Sequence, residues 1–108
     1  MVSLKYSKLK IGTKSYPIKT AKSILLNTAE WLIEEGKLTR DAYPVITGSR
    51  RNLLNVEPKH RRGHEFVSPR KLSNGLYIET HYTTERCIYY ARILLEHCGY
   101  PRDFLELL

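Results

Sequence analysis

Between positions 66 and 99 the apolar period of the chain changes from two to about 3.6, and that change restricts the fold more than any total can. Residues 66–72 and 76–82 flank Ser73-Asn74-Gly75, a tripeptide suited to the turn between antiparallel strands. In the second run Leu76, Ile78, Thr80 and Tyr82 share one face, and Tyr77, Glu79 and His81 the other. Thr83 then offers a helix cap, with Glu85 in the first turn against the positive end of the helix dipole. Cys87, Ile88, Ala91, Leu94, Leu95 and Cys98 make one apolar stripe at helical spacing. Gly99 stops this helix, Pro101 prevents its resumption, and residues 104–107 are expected to return to the core. A hairpin that feeds an amphipathic helix belongs to an α+β domain.

The rest of the chain fits that frame. Lys5-Tyr6-Ser7-Lys8-Leu9-Lys10-Ile11 alternates polar and apolar residues, meets Gly12-Thr13-Lys14, and resumes as Ser15-Tyr16-Pro17-Ile18, which predicts an N-terminal β-hairpin. Thr20 caps a second helix, on which Ala21, Ile24, Leu25, Thr28, Trp31 and Leu32 recur until Gly36. Its other face carries Lys22, Asn27, Glu30 and Glu34, expected to be solvated. No period holds over 37–48, so a loop or a short extra helix is expected there, followed by a strand over 50–56. The stretch 57–65 is polar, basic and bracketed by Pro58 and Gly63, which marks an exposed loop. The 108 residues suffice for one core and one domain. The expected architecture is two long helices packed on a small antiparallel sheet, with the hairpin as an extension over 1–18.

Charge points to a partner. Eighteen Lys and Arg stand against eleven Asp and Glu, a formal +7. Residues 42–72 carry seven basic and two acidic side chains, whereas 73–108 carry three and five. A fold needs no such imbalance, and a dense positive field suits a polyanion such as DNA, RNA or an acidic membrane; the plainer reading is solubility alone. No stretch is apolar enough to span a bilayer and no signal peptide is evident, so a cytoplasmic, nucleoid-associated location is expected, with no membrane partner. Cys87 and Cys98 stand about 16 Å apart along one helix. That is beyond disulfide reach, so reduced thiols are expected.

A duplex reader needs cationic groups spaced along the phosphates and small polar groups able to enter a groove. Arg50, Arg51, Lys59, Arg61, Arg62, Arg70 and Lys71 are the phosphate candidates; the alternative is a solvated basic loop. His81, Thr83, Thr84 and Arg86 are the groove candidates, because a helix N-terminus attracts phosphate; Thr83 as a mere cap and His81 as mere surface is the other reading. His60 and His64 have i, i+4 ligand spacing, with Glu65 beside them. Pro58 and Gly63 oppose a helix there, however, and no Cys-x-x-Cys accompanies them, so neither a metal nor another cofactor is expected. Glu57, Glu65 and Glu79 are scattered singly, which argues against a nuclease and against an enzyme in general. Tyr89, Tyr90 and Trp31 read as core and helix surface rather than a stacking platform.

Gly48-Ser49-Arg50-Arg51, and the run Tyr77-Ile78-Glu79-Thr80-His81-Tyr82-Thr83-Thr84-Glu85-Arg86 closing at Tyr100-Pro101, carry a resemblance. In order and spacing they resemble the C-terminal DNA-binding domain of the SeqA family of replication-initiation regulators, which reads hemimethylated GATC sites; small domains of restriction-system proteins look similar. The resemblance spans about 25–107 and runs without a gap from Thr80 to Pro101. It implies that Arg50 and Arg51 hold backbone phosphates. Where the family has two asparagines near the methylated A·T pair, this chain has His81 and Thr83, which offer fewer paired contacts to a base edge. The implied function is thus a sequence- or methylation-sensitive, non-catalytic double-stranded DNA-binding module, expected to be a monomer because the family's oligomerisation helix has no counterpart. An adaptor docking a restriction- or defence-system protein is the alternative.

Overall fold

A computed structural model describes residues 6–38, 45–46, 52–55 and 65–108. Along the chain come β1 (Lys8–Ile11), β2 (Lys14–Pro17), α1 (Ala21–Glu34), β3 (Val45–Ile46), β4 (Asn52–Asn55), β5 (Pro69–Lys71), β6 (Tyr77–Glu79), α2 (Thr84–His97), a 3-10 turn (Arg102–Phe104) and β7 (Leu105–Leu107). The class is α+β, with two helices of 14 residues each and the N-terminal hairpin in place. The strands form two antiparallel sheets, the hairpin-based β2-β1-β7 and the central β3-β4-β6-β5. The hairpin gains its third strand from the C-terminal segment. After Pro101 it turns back and pairs with the open edge of β1, setting Leu9 opposite Leu107 and Ile11 opposite Leu105. Val45–Ile46 pairs with β4 as a short strand, where a loop or helix was anticipated.

Both helices end as their sequences demand. At α1 the Lys37 N–H reaches the Leu32 carbonyl (2.9 Å) and the Gly36 N–H that of Ile33 (3.0 Å). At α2 the Tyr100 N–H reaches Leu95 (2.8 Å) and the Gly99 N–H reaches Glu96 (3.0 Å). These are paired Schellman closures, and Gly36 and Gly99 supply the left-handed residue at φ 72° and 92°. At the start of α1 Thr20 is the cap by backbone only; the bond there runs from the Ser23 hydroxyl to the Thr20 carbonyl (2.6 Å).

One apolar core joins both sheets to both helices. Leu9 and Ile11 enter it from β1, Ile24, Leu25 and Leu32 from α1, Leu54 and Ile78 from β4 and β6, Cys87, Ala91, Leu94 and Leu95 from α2, and Leu105 from β7. Trp31 packs on Tyr100 (centroids 5.3 Å) and Phe104 (5.6 Å), so the bend at Pro101 is held against α1. The helix face read as solvated also does structural work: the Glu30 carboxylate accepts the Ser73 N–H at 2.9 Å, tying α1 to the β5–β6 turn. Cys87 is buried, its thiol pushed up to about 11 by that burial, and both cysteines are free thiols. No described helix is long and apolar enough to cross a membrane.

Candidate nucleic-acid interface

The groove candidates cluster where β6 runs into α2, and a single buried carboxylate builds that junction. Glu79, 2% exposed, accepts four backbone N–H groups. Its Oε2 takes Val67 (2.7 Å), and its Oε1 takes Ser68 (2.8 Å), Thr80 (3.0 Å) and His81 (3.2 Å). Burial alone would raise this carboxyl, but the bonds from Ser68, Val67, His81 and Thr80 outweigh it and hold the group below its ordinary 4.5. The same bonds explain why both strands stop earlier than the alternation suggested. The amides of Val67 and Ser68 turn to a side chain instead of a neighbouring strand, so β5 begins only at Pro69. Past β6 the Tyr82 N–H folds back to the Thr80 carbonyl (2.9 Å), and the chain reverses into α2.

His81, Thr83 and Arg86 are exposed at this junction and Thr84 is half-buried. Thr83 is a true side-chain cap: its Oγ1 accepts the Arg86 N–H at 3.2 Å. Two shallow depressions meet at Thr83, one lined by His81 and Tyr82, the other by Glu85, Arg86 and Tyr89. Tyr89 is 44% exposed; its ring leans on the buried Tyr90 (5.3 Å), which in turn packs on Tyr82 (4.5 Å). Trp31 and Tyr90 are core residues, in keeping with their sequence positions. Glu85 brings a negative charge into the first turn, where it satisfies the dipole that a phosphate would otherwise feel.

Of the phosphate candidates, Arg70 and Lys71 lie exposed on β5, the edge strand, opposite Ile78 and Tyr77. Strand alternation sends the two side chains to opposite faces, so one straight backbone cannot engage both in the same way. From the Arg70–Ile78 rung to His81 is three residues, about 10 Å of extended chain. Arg50, Arg51, Lys59, Arg61 and Arg62 lie outside the described residues, as do His60 and His64. Among the described residues no three His, Cys, Asp or Glu side chains converge as a metal set.

Around β1 and β2 two lysines face acids: Lys10 lies across the strand register from Glu106, and Lys14 pairs with Glu34. Farther on, Arg102 donates to Glu96 at 2.7 Å, and Arg92 donates to the carbonyls of Arg102 (2.6 Å) and Leu105 (3.3 Å). Among the described residues Arg70, Lys71 and Arg86 make no such pair. Glu79 and Val67 were not singled out by sequence reasoning as parts of this junction. A lone acid at an alternating position carries no mark of burial, since backbone amides that bond it leave no trace in residue type. No protein-family model matches the chain, and no curated protein or solved structure matches it either.

Proposed function

We propose that this domain is a non-catalytic module that binds double-stranded DNA in the SeqA-like manner, reading sequence or methylation, and that it acts at the nucleoid. The observation that carries the proposal is the set of exposed cations without acidic partners at the β5 edge and the start of α2, beside the small polar groups of His81 and Thr83. Cations neutralised within a fold contribute little outward field, whereas these keep theirs for a polyanion. The excess of basic residues over 42–72 and the ordered motifs from Gly48 to Pro101 support the same conclusion.

The test is fluorescence anisotropy on labelled duplexes at low salt, with unmethylated, half-methylated and fully methylated adenine. Binding that weakens on Arg70→Ala and Arg86→Ala is the expected result. Failure to bind any duplex overturns the proposal, and purified protein whose absorbance is not skewed toward 260 nm by nucleic acid and that recruits one acidic protein would favour the adaptor role instead. Glu85 supplies a test of opposite sign. Glu85→Gln removes a carboxylate from the phosphate approach to α2 and is expected to tighten duplex binding by about two- to fivefold at low salt; unchanged affinity would place the phosphates away from that helix.

A further inference from the structure

Val67 is 68% exposed, more than any other large apolar side chain among the described residues, and it sits on a turn held by hydrogen bonds to Glu79 and Thr80. Its own N–H and that of His81 bond the same Glu79 carboxylate, at 2.7 and 3.2 Å, so the two residues share one rim of the β6–α2 junction. The Ser68 carbonyl accepts the Thr80 N–H (3.1 Å) and hydroxyl (2.6 Å), which fixes the turn a second time, and the preceding Phe66 is buried. Resting on the duplex binding proposed above, we infer that Val67 is a specificity-determining residue, whose methyl groups pack against the 5-methyl of a thymine in the major groove beside the His81 contact.

The chemistry favours that occupant. A thymine methyl is the apolar feature of unmodified base edges in the major groove, and it lies beside the donors and acceptors a polar neighbour would read. The described cations nearest in chain to Val67, Arg70 and Lys71 on β5, match a phosphate-lined groove and would repel a basic partner. A rigid backbone lets a two-methyl side chain meet a single methyl without an ordering penalty.

The experiment compares an alternating dA-dT duplex with its dA-dU counterpart, which lacks only the thymine methyls, against the unaltered domain and Val67→Ala. An exposed side chain tolerates truncation, and circular dichroism checks the fold. The unaltered domain is expected to prefer dA-dT by about fourfold, the factor for one methyl-sized apolar contact, and Val67→Ala to lose that preference. Equal affinity of the unaltered domain for both duplexes overturns the inference, as does a preference that survives Val67→Ala. A third duplex carrying N6-methyladenine separates the other methyl source: a Val67→Ala effect confined to it would also overturn the thymine assignment. Binding to none of the duplexes would strike the functional proposal itself, a result distinct from the others.

Discussion

Replacing Glu79 by alanine is expected to lower the unfolding free energy by about 3 kcal/mol, because three buried or half-buried amides lose their acceptor while Thr80 keeps a second one at Ser68. For a domain of this size that corresponds to a fall of roughly 15 °C in Tm. Glu79→Gln keeps the shape and one carbonyl oxygen and should cost less, but it removes a titration. The folded carboxyl lies below the ordinary 4.5 of the unfolded chain, so its contribution is complete above that value. It then fades as the pH falls through the interval down to the folded pKa, and below that it is gone. Urea denaturation from neutral pH into the acid range should show this loss in the unaltered domain and a flatter acid limb in Glu79→Gln. An acid limb of the same steepness in both would show that the carboxylate is not held by its amides.

Raising salt is expected to have the largest effect on function. If about five cations neutralise phosphates, log affinity falls with log salt at a slope near −4.5, roughly a 500-fold loss between about 50 and 200 mM. Arg70→Ala and Arg86→Ala should each make the slope shallower by about 0.9, and Arg50→Ala with Arg51→Ala by about 1.8. Glu85→Gln, in contrast, should change affinity with little change in slope, since it removes no cation. A slope near zero, or one untouched by these substitutions, would show that phosphate contacts do not drive binding.

Much of the architecture could be read from the residues. The two helices, their glycine closures, the turn at Ser73-Asn74-Gly75 and the N-terminal hairpin follow from local period and turn chemistry, which depend on neighbours a few positions apart. What escaped depends on distant partners. Nothing near Leu105 or Leu107 indicates that β1 will be their neighbour and that the hairpin will become a three-stranded sheet. Glu30 looks like a surface residue until the Ser73 amide arrives from 43 positions away. At the candidate site the residue types around His81 and Thr83 were visible, and the cap at Thr83 formed as expected. The shared carboxylate that aligns Val67 with His81 was not. Nor was the contrast in which Lys14 of the hairpin pairs with Glu34 of α1 while Arg70, Lys71 and Arg86 are left to solvent.

The ladder between β1 and β7 also orders events in time. Ser7 bonds the Leu108 carbonyl across 101 positions, so the hairpin leaves the ribosome with one edge unsealed, well before the strand that completes it. Contacts of such span close late and slowly. Until residues 105–107 arrive, Leu9 and Ile11 lack a neighbouring strand on that side, and the nascent chain is most open to chaperones and to unwanted strand pairing at that point.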